Sequence, residues 1–140
     1  MRIGIIGTGR IAERFINTAL NGLDVKVSCI FNPHIESAKK FADKHNVDVY
    51  TDNLEEFCEL IQAVYIASPH ETHYEYSKFM LEHGINVLCE KPMALKESQA
   101  KELFDIANSK NLTLMEAVKT AYCPGFNELL NVAKSGKIGR

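Results

Sequence analysis

The chain has 140 residues, the size of one domain that can bury a hydrophobic core. Apolar residues make up 46% and charged residues 24%, and the net charge of -2 gives no reason to expect nucleic acid or an anionic membrane as a partner. The four cysteines lie about 30 residues apart without a C-x-x-C pair, which argues against a disulfide framework and a zinc site.

Six short apolar runs predict the strands. They are residues 3–6, 25–31, 47–50, 63–67, 85–89 and 112–117. Most are apolar at consecutive positions, the pattern of strands that are buried on both faces of a parallel sheet.

Between the runs, apolar residues recur at helical spacing, and each stripe predicts a helix with one side facing the core. The stripes in chain order are Ala12, Phe15, Ile16 and Ala19; Ile35, Ala38 and Ala42; Leu54, Phe57, Cys58 and Ile61; Tyr76, Phe79, Met80 and His83; Ala100, Leu103, Phe104 and Ala107; and Phe126, Leu129, Leu130 and Ala133. Gly22 and Gly84 stand where helices should end, and Pro33 and Pro124 suit first turns. The alternation predicts an α/β fold with a doubly wound parallel sheet of about six strands.

The first strand runs into Gly7-Thr8-Gly9-Arg10-Ile11-Ala12, which opens a helix. In a dinucleotide-binding turn the first glycine permits the tight bend, the second lets the backbone approach a pyrophosphate, and the third small residue lets helix and strand pack closely. The helix N-terminus adds free N–H groups for the phosphates, and Arg10 adds a charge. This segment is therefore a candidate site for NAD or NADP.

Asn32 follows the second strand, where such folds usually carry an acidic residue that holds the ribose hydroxyls. Asparagine can still hydrogen-bond a ribose, and it does not repel a 2′-phosphate. Asn32 followed by Pro33 also suits a helix N-cap. Both roles are expected, and the choice between NAD and NADP stays open.

Two further motifs follow later strands. They are Ser68-Pro69-His70-Glu71-Thr72-His73 and Glu90-Lys91-Pro92. Together with the glycine turn, and in this order, they resemble the Gfo/Idh/MocA family of NAD(P)-dependent oxidoreductases. The resemblance covers the whole chain, with His70 standing where the family usually has asparagine.

The resemblance implies a Rossmann domain whose cofactor-binding residues share one rim beyond the strand ends. These residues are Gly7, Thr8, Gly9, Arg10, Ile11, Ala12, Asn32, Ser68, Pro69, His70, His73, Glu90, Lys91 and Pro92. His70 and His73 do not have zinc-site spacing to a further ligand, so no metal is expected.

Lys91 is the candidate catalytic residue, because a lysine at the rim can hold a proton near a hydroxyl or carbonyl oxygen. The Lys91-Pro92 bond is a candidate for a cis peptide. Glu90 could pair with Lys91, face the nicotinamide, cap a helix or lie on the surface.

The segment "SGKIG" resembles the family's sequence just before a second domain, so we expect residues 1–140 to be the NAD(P)-binding part of a longer oxidoreductase. The complete protein is expected to act on a small polyol, sugar, cyclitol or dihydrodiol, and to be a homo-oligomer. A non-catalytic nucleotide-binding or redox-sensing module is the alternative. The sequence has no long apolar run and no secretory leader pattern, and a cytoplasmic location is expected.

Overall fold

The computed structural model describes residues 1–19 and 25–139, and within them six strands form one parallel sheet. The strands are β1 (Arg2–Ile6), β2 (Lys26–Phe31), β3 (Tyr50–Thr51), β4 (Ala63–Ile66), β5 (Asn86–Cys89) and β6 (Leu114–Glu116). Their order in the sheet is β3-β2-β1-β4-β5-β6, and each neighbouring pair is parallel. The order reverses between β1 and β4, the switch point beyond which open α/β sheets bind their ligands.

Helices connect the strands. They are α1 (Arg10–Arg14), which continues as a π-helical turn (Phe15–Ala19), α2 (Ile35–His45), α3 (Leu54–Leu60), α4 (His73–Glu82), α5 (Glu97–Ser109) and α6 (Pro124–Lys134). Short 3-10 turns at His70–Thr72 and Lys119–Tyr122 precede α4 and α6. Among the described residues, no helix is both long and apolar enough to span a membrane.

The sheet carries a hydrophobic cluster on each face. One cluster includes Ala12 of α1 and Phe41 of α2, and the other joins residues of α3, α4 and α5. Successive residues of β4 alternate between them: Tyr65 belongs to the first cluster and Ile66 to the second. The predicted doubly wound α/β fold is therefore confirmed.

The structure corrects the boundaries around α2. The helix begins at Ile35 with His34 as its N-cap residue, so the predicted cap at Asn32 and first turn at Pro33 are wrong. The reason is local: the Asn32 side chain accepts a hydrogen bond from the His34 amide at 2.9 Å and forms a turn before the helix. At the other end Asn46 adopts a left-handed conformation, and β3 starts at Tyr50 rather than at residue 47.

The buried side of α4 also differs from the predicted stripe. His73, Ser77, Met80 and Leu81 are buried, whereas His83 is exposed and stacks on Phe79. Of the predicted stripe, Met80 is in the core and Tyr76 and Phe79 pack against it, so only His83 is wrong. Apolar spacing did not find His73 and Ser77, because both side chains are polar. Gly84 follows the helix with φ 79°, which confirms the predicted end.

The stripe on α6 does not face a core. Pro124 begins the helix as predicted, but none of its residues is buried, and Leu129 remains 59% exposed. The helix follows the last strand at the edge of the sheet, where the described residues offer its apolar side no covering layer. Gly22, a predicted helix end, lies outside the described residues.

Candidate functional site

Gly7 makes the bend at the end of β1. Its φ is 100°, and a Cβ atom there would lie 2.6 Å from the carbonyl oxygen of Ala67. Its amide donates to the carbonyl of Phe31 at 3.0 Å, and the carbonyl of Ile6 accepts from the amide of Ala67 at 2.9 Å, so the bend is held against both neighbouring strands. A side chain at Gly7 is therefore disfavoured by the left-handed backbone conformation, and it would also clash with Ala67.

Gly9 is different, because a Cβ atom there would meet nothing within 4 Å. It is the N-cap residue of α1 with extended backbone angles, and no side chain caps the helix. The protein's own packing therefore does not require this glycine. The uncapped amides of the first turn and the open space above Gly9 fit a phosphate that approaches the backbone.

Asn32 ties the loop after β2 to the glycine turn. Its side-chain nitrogen donates to the hydroxyl of Thr8 at 2.9 Å, and its side-chain oxygen accepts from the His34 amide. An amide group has two donor hydrogens and an oxygen with two lone pairs. One donor and one lone pair therefore remain for a ligand.

The loop after β4 is held by side-chain hydrogen bonds. The Thr72 hydroxyl lies 2.7 Å from the Ser68 hydroxyl and from the carbonyl of Pro69. His73 is fully buried, and its two ring nitrogens lie 2.9 Å and 2.8 Å from the carbonyl oxygens of Ser68 and Pro92. His73 thus lies behind the rim, whereas His70 is exposed.

Glu90 is buried beside the sheet and accepts a hydrogen bond from the hydroxyl of Tyr65 at 2.6 Å. The Phe15 ring stacks on the Tyr65 ring with 3.7 Å between centroids. Burial and the bond to Glu90 raise the pKa of Tyr65 well above its usual value. Of the roles left open for Glu90, the surface location is wrong, because only 8% of the residue is exposed.

Lys91 is exposed at the rim, and the Lys91-Pro92 peptide bond is cis, which confirms that prediction. The amide of Met93, just beyond, donates to the Glu116 carboxylate at 2.8 Å. The segment Glu90-Lys91-Pro92 is therefore fixed on both sides of the lysine, by Tyr65 and by Glu116.

Two clefts border the first turn of α1. The first, which we call the Asn32 cleft, has a volume of about 480 Å³. The second, the Glu90 cleft, has a volume of about 350 Å³. Gly7, Thr8 and Gly9 line the first cleft, and Ile11 lines the second.

The clefts bring together many of the residues singled out from the sequence. Asn32, Ser68 and Pro69 line the Asn32 cleft, and Glu90 lines the Glu90 cleft. The linings do not include Arg10, Ala12, His70, His73, Lys91 and Pro92. Ala12 is buried beneath the turn, where it permits close packing of α1.

Sequence reasoning missed Tyr65, Phe15 and Tyr76, which line one cleft or the other. A signal existed for Tyr65, the only residue with a polar side chain in the strand Ala-Val-Tyr-Ile. A buried phenol needs a hydrogen-bond partner, but the sequence could not name Glu90, 25 residues away.

A parallel sheet with a switch point, an uncapped helix after a glycine turn and a cleft on each side of it define a dinucleotide-binding Rossmann domain. A family model described as "Oxidoreductase family, NAD-binding Rossmann fold" matches residues 1–118. The chain belongs to this family, Gfo/Idh/MocA, and the resemblance drawn from its motifs is confirmed.

Characterised relatives extend well beyond the matched region. The scyllo-inositol 2-dehydrogenase (NADP(+)) IolU of Bacillus subtilis is 37% identical over 131 residues, which are 92% of this chain and 40% of that protein. A trans-1,2-dihydrobenzene-1,2-diol dehydrogenase of Xenopus laevis is 33% identical, with 97% of this chain and 42% of that protein covered. The chain thus spans about two fifths of the length of these relatives.

Solved structures agree with the fold. A 3-ketoreductase from Actinomadura kijaniata, crystallised with NADP and TDP-benzene, superposes with a TM-score of 0.87 at 28% identity. The superposition covers 97% of this chain and 42% of that chain.

Proposed function

We propose that NAD(H) or NADP(H) binds across the N-terminus of α1, with its adenosine half in the Asn32 cleft and its nicotinamide half in the Glu90 cleft. The observation that carries this proposal is Gly9, whose missing side chain leaves open space beside uncapped amides. Gly9 lines the Asn32 cleft, and Ile11, two residues further along the chain, lines the Glu90 cleft. A dinucleotide has two nucleoside ends and a pyrophosphate between them, and this arrangement offers a place for each.

The residues then have separate tasks. The backbone from Thr8 to Ala12 faces the pyrophosphate, with Arg10 as an exposed cation beside it. Asn32 uses its remaining donor and lone pair on the adenosine ribose. Ser68, Pro69 and His70 border the cofactor from the loop after β4.

For the complete protein we propose hydride transfer between the nicotinamide and a hydroxyl or carbonyl carbon of a small polyol, sugar, cyclitol or dihydrodiol. A bound nicotinamide supplies the hydride acceptor or donor. The proposal rests on family membership and on relatives that are dehydrogenases.

Lys91 is the proposed catalytic residue. When a C–H hydrogen leaves an alcohol as hydride, the O–H proton must also leave, and the reverse reaction returns both. An ammonium group at the rim can donate a hydrogen bond to the developing alkoxide, and an amine can take the proton. Glu90, fixed by Tyr65, and His73, bonded to Pro92, hold the segment that carries this lysine.

We further propose that residues 1–140 form one NAD(P)-binding domain, and that a separate domain of the complete protein binds substrate and makes homo-oligomer contacts. The support is the length of the relatives, of which the chain covers about two fifths. A cytoplasmic location is proposed from the four cysteines, none of which is in a disulfide.

Calorimetric titration of the chain with NAD⁺, NADH, NADP⁺ and NADPH tests the binding proposal. One site is expected, and a ligand at 100 times its Kd should add about 2.7 kcal/mol to the free energy of unfolding. Absence of heat and of a melting shift with all four would contradict it. Turnover by the complete protein then separates an oxidoreductase from a non-catalytic nucleotide-binding or redox-sensing module, which would bind cofactor without turnover.

A further inference from the structure

His73 joins the loop after β4, which borders the Asn32 cleft, to the segment after β5, which borders the Glu90 cleft. Its Nε2 atom lies 2.9 Å from the carbonyl oxygen of Ser68, in the loop after β4. Its Nδ1 atom lies 2.8 Å from the carbonyl oxygen of Pro92, in the segment after β5. The ring is fully buried, so water does not compete for either nitrogen.

Both partners of the ring are carbonyl oxygens, which accept hydrogen bonds and cannot donate them. A neutral imidazole has one N–H and one bare nitrogen, so one of the two contacts would set a lone pair against a lone pair. A doubly protonated ring donates to both oxygens. We propose that His73 is a buried imidazolium that clamps the loop after β4 to the segment Glu90-Lys91-Pro92, and that it is a positioning residue for Lys91.

A buried cation is costly unless its hydrogen-bonding groups are satisfied, and here both N–H groups meet a carbonyl dipole. Titratable groups lie on each element packed around His73. They are Tyr65 on β4, His70 and Glu71 on the 3-10 turn, Cys89 on β5, Glu90 and Lys91 beyond it, and Glu97, Lys101, Glu102 and Asp105 on α5. The His70 ring lies edge-on to the His73 ring, with 5.4 Å between the centroids. Glu90 adds a buried carboxylate, opposite in sign to the imidazolium, to the segment that the clamp holds.

The clamp has a direct consequence for the lysine. Loss of one proton leaves the ring with a single donor, and one of the two segments is released. Because Lys91 immediately precedes Pro92, its backbone then loses its tie to the loop after β4. The task of Lys91 rests on the proposed function, whereas the protonation of His73 does not.

Nitrogen NMR of the histidine-labelled chain without cofactor tests the protonation state at neutral pH. We expect both ring nitrogens of His73 to carry protons. A ring with one protonated and one bare nitrogen would overturn the proposal, and this measurement needs no variant.

The positioning role is tested by His73→Gln, which keeps at most one of the two bridging contacts. Deuterium exchange at the Met93 amide, which is bonded to Glu116 on the clamped segment, should be about tenfold faster, the size of effect that loss of one charged hydrogen bond allows. His83→Gln is the matched control, at the exposed end of the same helix, and should leave that exchange unchanged. Equal exchange at Met93 in the wild type and His73→Gln would refute the positioning role.

NADPH titrations at several pH values test whether the protonation of His73 affects the cofactor site. The wild-type affinity should fall severalfold across the pH range in which NMR shows the ring losing a proton, and His73→Gln should lack this step. A doubly protonated ring in a chain that binds no NADPH would support the clamp and refute the proposed function. A neutral His73 ring in a chain that binds NADPH would refute the clamp and support the proposed function.

Discussion

The two glycines of the first turn should respond in opposite ways to the same substitution. At Gly7, an added Cβ would lie 2.6 Å from the Ala67 carbonyl oxygen, and φ is 100°. The disfavoured backbone conformation costs about 1–2 kcal/mol and the overpacking about 1–3 kcal/mol, so Gly7→Ala should lower the free energy of unfolding by about 2–5 kcal/mol.

At Gly9, an added Cβ meets no protein atom within 4 Å, and the backbone angles suit alanine. Gly9→Ala should therefore change the free energy of unfolding by less than about 0.5 kcal/mol. The same methyl group occupies the space proposed for the pyrophosphate. The Kd for NADPH should rise at least about tenfold, equivalent to 1.4 kcal/mol.

The assays are urea unfolding without cofactor and NADPH titration by calorimetry. Gly125→Ala on α6 is the control, because its added Cβ also meets open space and lies outside both clefts. It should leave NADPH affinity unchanged. Wild-type NADPH affinity in Gly9→Ala, or wild-type stability in Gly7→Ala, would refute the reasoning about this turn.

Asn32→Asp should favour NADH over NADPH, because a carboxylate repels the 2′-phosphate. If calorimetric titration shows equal changes in the two Kd values, Asn32 does not contact the ribose, and its role is only the hydrogen bond to Thr8. In the complete protein, Lys91→Ala should lower kcat by about 10²–10⁴-fold with little change in the Kd of the cofactor. Lys91→Arg should restore activity only if a positive charge suffices without proton transfer. An unchanged kcat in Lys91→Ala would make this lysine an ordinary surface residue. Tyr65→Phe should destabilise the fold by about 1.5–3 kcal/mol through loss of its bond to Glu90. Because the pKa of Tyr65 is raised in the fold, the stabilisation from this tyrosine is complete below about pH 10 and is lost as the pH rises further. Urea unfolding at alkaline pH should therefore show a smaller decrease in the free energy of unfolding for Tyr65→Phe than for the wild type. Equal decreases in the two proteins would contradict this reasoning.

Periodicity predicted the parallel sheet because strands buried on both faces leave continuous apolar runs. It failed where polar groups are buried. His73 and Ser77 lie on the buried side of α4, and the apolar pattern instead selected the exposed His83. It also gave α6 a core-facing side, because spacing shows that a helix is amphipathic but not whether another element covers it.

In the candidate site, too, some residues could be predicted from the sequence and others could not. Gly7, Gly9 and Asn32 were found from their spacing along one strand–turn–helix unit and the strand that follows. Glu90 is fixed by a hydrogen bond from Tyr65 on the neighbouring strand, and the Tyr65 ring in turn stacks on Phe15. Such contacts depend on which strands are neighbours in the sheet. A single sequence therefore does not reveal which side chains will contact each other across strands.

A crystal structure of this chain with NADPH tests the central claim most directly. We predict pyrophosphate oxygens about 3 Å from the amides of the first turn of α1, the adenosine beside Asn32 and the nicotinamide beside Glu90. A dinucleotide bound elsewhere, or bound in the reverse direction across Gly9, would contradict the account.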